Sequence, residues 1–255
     1  VHAGPVEGLG EALRDEGYQV LVGTTDYRAG LEDALIRAFA GRRVDGLVVT
    51  SGQISPASQA VLKAAAIPVV QLWELPRRPF DMAVGISNRA VGEAGARHFA
   101  ERGYDRLAVI GHVEAADTRS SARVDGFLAE AARLGLPAPF RKDIARPMMV
   151  NDATPLLAEL RAAGVRAVFS TSAQLAVVML LNAVALGIAV PGELAIMGLH
   201  SALAAVVRPA LSTVEVPAYR FGLLAGRMLL RRMAGEAIDA RVVDTGFTVS
   251  VRESS

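Results

Sequence analysis

The 255-residue chain contains no cysteine, which excludes disulfide bonds and metal sites built on thiolates. It also lacks an excess of either charge, because 27 basic residues face 26 acidic ones and the formal net charge is +1. A domain that holds DNA by itself normally shows a basic excess, since neutralising phosphates supplies much of the affinity. We therefore expect these residues not to form a DNA-binding surface.

Long hydrophobic runs are absent as well. The most apolar segment, residues 175–190, is 16 residues long and is interrupted by Asn182 and Gly187. A helix that crosses a membrane needs about 20 predominantly apolar residues. The segment therefore predicts a buried core helix, and we expect no membrane partner.

Short runs of β-branched residues alternate with longer helical patterns, which predicts parallel sheets covered by helices on both faces. Because the alternation restarts near Gly103, we predict two Rossmann-like lobes, with a ligand cleft between them at the carboxyl ends of the strands. A single large doubly wound domain is the alternative. The predicted strands are 18–22, 45–50, 67–72, 82–86, 106–111, 167–170, 194–197, 211–216 and 242–251. The predicted helices are 7–16, 31–40, 58–66, 88–102, 119–134, 153–163, 174–186 and 219–233.

Motifs that carry catalysis are missing from the sequence. It contains no His-x-x-x-His or Glu-x-x-His spacing, no Gly-x-Ser-x-Gly elbow and no phosphate-binding loop ending in Gly-Lys-Ser/Thr. We therefore expect no metal, no cofactor and no enzymatic activity. A large α/β chain of this kind is better interpreted as a binder.

Seven segments, in order along almost the whole chain, resemble motifs of the LacI family of transcriptional repressors. The resemblance implies an α/β fold of the type I periplasmic-binding-protein kind, which the family shares with periplasmic sugar-binding proteins. Three further segments, 79–88, 198–200 and 244–250, are similar to repressors of gluconate utilisation. The seven segments are 44–49, 67–70, 103–111, 123–127, 187–198, 211–214 and 251–254.

The family pattern also implies how the chain is organised. Residues 1–103 and 212–238 are expected to form the N-terminal lobe, and residues 104–211 and 239–255 the C-terminal lobe. The resemblance implies that the helix-turn-helix head, which reads operator DNA in the family, and the first strand of the first lobe are expected to lie outside these residues. The resemblance further implies a cytoplasmic homodimer that contacts operator DNA through an N-terminal head outside these residues.

One arginine is carried over from a family motif. Arg123 stands in the Arg-x-x-Gly-Phe helix that brings an arginine to the effector, and Arg119 lies one helical turn earlier on the same face. Two guanidinium groups on one face suit a carboxylate or a phosphate, which arginine can bind with two hydrogen bonds. The alternative is that both are surface charges paired with Asp117 or Glu130.

Four more candidate residues occupy positions where the family contacts its effector: Ser87, Asn88, Ser172 and His200. Ser87, Ser172 and His200 replace residues that are usually Asp or Asn in the family. Fewer carboxylates beside retained arginines favour an anionic ligand. Helix capping is an equally good explanation of Asn88 and Ser172, and His200 has the alternative of an ordinary loop histidine.

The sequence thus predicts the effector-binding and dimerisation core of a repressor that senses a small sugar acid such as gluconate. Effector binding would shift the two lobes and so change operator affinity. A periplasmic solute-binding protein is the main alternative, and an α/β enzyme such as a sugar-phosphate isomerase is a third. Trp73 is interpreted as packing rather than ligand stacking, and helix 219–233 as either core or interface.

Overall fold

The computed structural model describes residues 3–25, 29–112, 118–144 and 153–255. The chain divides into two compact units, Val1–Ser87 with Pro217–Gly246 and Asn88–Val216 with Phe247–Ser255. Eight helices and ten strands occur within the described ranges. The helices are α1 (Ala3–Arg14), α2 (Ala29–Gly41), α3 (Pro56–Ala64), α4 (Asn88–Glu101), α5 (Thr118–Arg133), α6 (Ala153–Ala162), α7 (Ala173–Ala185) and α8 (Ala218–Met233). The strands are β1 (Leu47–Val49), β2 (Val69–Trp73), β3 (Met82–Gly85), β4 (Leu107–His112), β5 (Phe140–Ile144), β6 (Ala167–Ser170), β7 (Ala195–Leu199), β8 (Ser212–Glu215), β9 (Val242–Asp244) and β10 (Thr248–Ser250).

The first unit contains a four-stranded parallel sheet in the order β1-β2-β3-β9. Every residue of β2 and β3 is buried, as expected for parallel strands covered on both faces. Helices α1 and α8 pack closely because glycines stand where they meet: a Cβ on Gly222 would lie 1.9 Å from the carbonyl oxygen of Pro5. The apolar face of α8, including Phe221 and Leu229, is buried, so this helix belongs to the core.

The second unit contains a six-stranded sheet in the order β10-β8-β7-β6-β4-β5, parallel except for the antiparallel pair β10 and β8. Strands β4 and β6 are neighbours inside this sheet and are buried throughout. Helices α4 and α5 pack over this sheet, and the rings of Phe127 on α5 and Phe169 on β6 stack with centroids 5.6 Å apart. Helix α7 packs on β7 and is buried along most of its length.

The predicted architecture of two α/β lobes with parallel sheets is confirmed, and most element bounds agree to within two or three residues. The predicted strand 18–22 is wrong: among the described residues it pairs with no strand, and Leu21 and Val22 are 57% and 65% exposed. The predicted strand 242–251 is two strands, because Gly246 adopts a φ of 65° between them. They join different sheets: β9 pairs with β3, and β10 with β8.

The observed units also differ from the predicted lobe boundaries at 103 and 238. Helix α4 belongs to the second unit because its backbone contacts that of α5: a Cβ on Gly92 would lie 1.9 Å from the carbonyl oxygen of Arg123. Strand β9 belongs to the first unit through its pairing with β3. Among the described residues, no helix is long and apolar enough to cross a membrane.

Candidate functional site

Three neighbouring parallel strands of the second unit end at the same edge of their sheet. Strand β6 lies between β4 and β7, so the carboxyl ends of all three are adjacent. Strand β4 ends at His112, β6 leads into the segment Ser170–Ser172, and β7 is followed by His200. Ligands of open α/β sheets bind at the carboxyl ends of the strands. Three of the predicted residues, Arg123, Ser172 and His200, lie at this end of the sheet.

Arg123 is held at this edge by two hydrogen bonds. Its Nε donates to Oδ1 of Asn88 over 2.9 Å, and its Nη1 donates to the carbonyl oxygen of Thr171 over 2.9 Å. Asn88 is the first residue of α4 and is only 6% exposed, while Thr171 follows β6 and is 2% exposed. The guanidinium is therefore fixed between a helix start and a strand end.

A hydroxyl network supports the carbonyl that Arg123 contacts. The hydroxyls of Ser120 on α5 and Thr171 are hydrogen-bonded at 2.8 Å, and Ser120 Oγ also accepts from the backbone N–H of His112 at 3.0 Å. Ser120 is 1% exposed, so this network is inside the protein. It joins the start of α5 to the ends of β4 and β6, and so fixes the helix that carries Arg123.

Ser172 is the N-cap residue of α7. Its Oγ accepts from the backbone N–H of Leu175 at 3.5 Å, and its own N–H donates to Oγ of Ser170 at 3.2 Å. The capping interpretation of Ser172 is thus confirmed. Capping leaves the residue half-buried at the strand end, beside Thr171.

His200 lies directly after β7 and is oriented by a carboxylate. Its Nδ1 is hydrogen-bonded to Glu215 at the end of β8, and Glu215 also accepts from Thr213 at 2.6 Å and from Arg252 at 2.9 Å. Burial by itself would raise the pKa of Glu215, but the hydrogen bonds from Thr213, His200 and Arg252 lower it overall. Glu215 therefore stays ionised and holds one ring nitrogen of His200.

Two predicted site residues remain, Arg119 and Ser87. Arg119 is the second residue of α5, four residues before Arg123, and is half-buried. Ser87 follows β3 as the last residue of the first unit. Asp117, one proposed surface partner of the arginines, lies outside the described residues. The other proposed partner, Glu130, binds Arg97 and Arg133 instead.

Arg133, and then Arg97, hold the pKa of Glu130 at about 2.

Trp73, in the first unit, is 8% exposed and packs edge-to-face on Phe221 at 4.9 Å. Its position favours packing over ligand stacking. No group of three or more metal-ligating side chains occurs in the part of the chain that the structure describes.

Two residues of the site were missed from the sequence. Thr171 contributes its backbone carbonyl, which any residue type supplies, and the only signal was its place beside Ser172. Glu215 could have been found, because a carboxylate that ends the strand next to β7 comes within reach of the residue after β7.

Comparison with known proteins gives the same family from both halves of the chain. Residues 3–160 match the family model described as periplasmic binding proteins and sugar binding domain of LacI family, and residues 96–255 match the periplasmic binding protein-like domain. The HTH-type transcriptional regulator GntR of Pseudomonas aeruginosa is 30% identical over 98% of this chain and 74% of its own length. The chain belongs to the LacI family of transcriptional regulators. It contains the effector-binding core of that family, and regulators of this family are not enzymes.

Two further relatives agree with this assignment. The regulator GntR of Escherichia coli K12 is 26% identical over 98% of this chain and 76% of its own length. The crystal structure of the transcription regulator GntR from Chromobacterium violaceum superposes with a TM-score of 0.91 at 30% identity, covering 100% of this chain and 94% of that one. LacI-family regulators bind small-molecule effectors and operator DNA, usually as dimers. All three relatives are regulators, which favours the repressor prediction over the solute-binding alternative.

Proposed function

We propose that this LacI-family core senses a sugar acid, gluconate or a close relative, at the carboxyl ends of β4, β6 and β7, where Arg123 of α5 is held. The observation that carries the proposal is the fixed guanidinium of Arg123, bound to Asn88 and Thr171. These two hydrogen bonds fix the direction in which the guanidinium faces. An oriented, charged guanidinium is the group best suited to a carboxylate.

The neighbouring positions support an anion rather than a neutral sugar. Ser172 and His200 bring no carboxylate to the edge, and the Glu215 carboxylate is already bound to His200 and Arg252. Because Glu215 is already held by His200 and Arg252, it repels an anionic ligand beside Arg123 less than a free carboxylate would. The sequence similarity to gluconate-operon repressors and the matches to regulators called GntR favour gluconate within this class.

Calorimetric titration of the purified chain tests the ligand class. Gluconate, its keto derivatives and its 6-phosphate are compared with glucose, which has the same carbon skeleton but no carboxylate. We expect at least one of the acids to bind and glucose to bind at least tenfold more weakly. Binding by none of the acids, or equal binding of glucose, would overturn the sugar-acid proposal and leave the family unchanged.

The variant Arg123→Gln tests the residue that carries the argument. A hydrogen bond to a charged group contributes about 1.5–3 kcal/mol, so the affinity for the acid should fall about 10- to 100-fold. Arg231→Gln is the matched control, because Arg231 makes an ion pair with Glu236 in the first unit and should not affect binding. Equal affinities of the two variants would refute the role of Arg123.

We also propose that the chain forms a homodimer through the second unit. Five large hydrophobic side chains are exposed by 43–65% on α7 and in the segments that follow α7 and β7: Leu181, Val184, Leu186, Leu203 and Val206. Large exposed apolar side chains that form one patch mark protein interfaces, and the proposal is that these five side chains do so. A second copy of the chain is the occupant that the family's usual dimeric state favours.

Light scattering after gel filtration tests the dimer. We expect about twice the chain mass of 26.8 kDa for the wild type, and the monomer mass for Leu181→Asp or Leu203→Asp. Val6→Asp, at an exposed apolar position of α1, is the control and should leave the dimer intact. A monomeric wild type, or dimeric Asp variants, would refute this interface.

The remaining step of the proposal is regulation of transcription in the cytoplasm. We expect the effector to change the affinity of the full-length regulator for its operator, because a ligand that binds two states unequally shifts their populations. Gel-shift titration of the full-length protein with and without gluconate measures this change. Identical operator affinities under saturating effector would contradict it.

A further inference from the structure

Helices α4 and α5 of the second unit touch through their backbones at two reciprocal points. A Cβ on Gly92 of α4 would lie 1.9 Å from the carbonyl oxygen of Arg123, and a Cβ on Gly126 of α5 would lie 2.0 Å from the carbonyl oxygen of Arg89. Both distances are far below ordinary contact, so any side chain at either glycine forces the two helices apart. The two helices can therefore pack this closely only because both positions are glycine.

The same turn of α4 also supplies the acceptor for the Arg123 side chain. Asn88 lies four residues before Gly92, which puts both residues on one face of the helix. Gly92 contacts the backbone of Arg123, and Asn88 Oδ1 accepts from its Nε at 2.9 Å. One face of α4 therefore sets both how closely the Arg123 backbone approaches α4 and the direction of the Arg123 guanidinium.

We infer that Gly92 and Gly126 are positioning residues for effector binding, because they hold α5 at the distance from which Arg123 reaches both of its acceptors. The inference rests on the proposed function for its effect on affinity. Restoring ordinary contact at either glycine requires a movement of about 1 Å or more. A movement of that size lengthens a 2.9 Å hydrogen bond beyond the usual range.

The first unit provides an internal comparison. Helices α1 and α8 use the same device: a Cβ on Gly222 would also lie 1.9 Å from a carbonyl oxygen, that of Pro5. None of the predicted effector residues lies on either helix. Close packing through glycine thus supports folding in both units, whereas its effect on Arg123 is specific to the pair α4 and α5.

The experiment compares Gly92→Ala and Gly126→Ala with Gly222→Ala in the purified 255-residue chain. All three should lower the midpoint of thermal unfolding, because each creates a backbone clash. Only the first two should weaken gluconate binding, by about 10- to 100-fold, the range expected when hydrogen bonds to a charged group are lost. If the wild type binds gluconate, equal affinities of the folded Gly92→Ala and Gly222→Ala variants would overturn the inference.

A second measurement needs no ligand and so separates this inference from the proposed function. The Nε–H resonance of Arg123, assigned by its disappearance in Arg123→Lys, reports the bond to Asn88. It should shift and exchange faster with water in Gly92→Ala, and remain unchanged in Gly222→Ala. If wild type fails to bind gluconate but the resonance behaves in this way, the positioning role stands and the sugar-acid proposal falls.

A milder variant keeps the inference falsifiable if the α4–α5 variants do not fold. A Cβ on Gly95 of α4 would meet the ring of Phe169 on β6 at 3.0 Å, which requires a shift of only a few tenths of an ångström. Gly95→Ala should therefore perturb the Arg123 Nε–H resonance and weaken gluconate binding by a few-fold. A folded Gly95→Ala variant with an unchanged resonance and unchanged affinity would refute the positioning role of helix packing.

Discussion

Ser254 lies at the carboxyl end of the chain, fully buried against the second sheet, and its replacement by alanine tests what the closing Val-Arg-Glu-Ser segment does. The Ser254 hydroxyl donates to the carbonyl oxygen of Ile196 at 2.6 Å and accepts from the backbone N–H of Ser212 at 2.8 Å. The Ser254 carbonyl accepts from the N–H of Ile196 in β7 at 2.8 Å, and the Ser254 N–H donates to the carbonyl of Ala210, just before β8, at 3.0 Å. Ser254 thus joins β7 to the start of β8.

The expected loss follows from the two groups that Ser254→Ala leaves unpaired. A buried donor or acceptor without a partner costs about 1–3 kcal/mol. Without their Ser254 partner, the N–H of Ser212 and the carbonyl of Ile196 should together lower the free energy of unfolding by about 2–6 kcal/mol. The side-chain volume changes by only one oxygen atom, so cavity formation adds little.

Urea unfolding followed by circular dichroism measures this loss as a lower midpoint at an unchanged slope. Ser121→Ala is the matched control, because Ser121 is exposed on α5 and alanine favours a helix. The control should be neutral or slightly stabilising. A loss below about 1 kcal/mol for Ser254→Ala would mean that the two backbone groups find other partners, and would refute the assigned role.

Two further predictions concern stability. Burial, and then Arg102, lowers the pKa of His98 to about 4 from 6.5. Because the unfolded chain takes up a proton on His98 before the folded chain does, the contribution of His98 to stability is complete above pH 6.5 and is lost as the pH falls towards 4. One proton gives a slope of at most about 1.4 kcal/mol per pH unit, and this slope should be missing from urea titrations of His98→Gln between these pH values. On α1, Gly10→Ala meets nothing within 4 Å and should raise the thermal midpoint, since alanine favours a helix by up to about 1 kcal/mol. Gly8→Ala, whose Cβ would lie 2.1 Å from the carbonyl oxygen of Tyr219, should lower the same midpoint.

Elements with strong periodicity were predictable from the sequence. The strand 167–170 is observed with the predicted bounds, because four buried residues form a short apolar run between two helices. Strand β5 was missed for the opposite reason: it contains Arg141, Lys142 and Asp143, which resemble a solvated loop, and it forms the edge of its sheet. The exposed run 18–22 was mistaken for a strand because a short β-branched run does not show whether a partner strand is present.

The site was predictable where a side chain belongs to a motif. Arg123, Asn88, Ser172 and His200 are all in the second unit, at the end of the sheet that the sequence indicated. Backbone contributions were not predictable, since the Thr171 carbonyl depends on how β6 ends and not on residue type. The glycines between α4 and α5 carried no functional signal either, because glycines at helix contacts occur wherever helices approach closely.

The pairing of His200 with Glu215 changes how the charge at this edge should be counted. The sequence argument treated His200 as the loss of a family carboxylate, but the structure has a different carboxylate, Glu215, bound to that same histidine. An aspartate at position 200 would lie beside Glu215, and two neighbouring carboxylates disfavour each other's ionised form. A histidine there instead gives Glu215 a compatible partner, in addition to Arg252. The preference for an anion that we propose therefore depends on the guanidinium of Arg123 rather than on His200, and so Arg123→Gln is the more decisive variant.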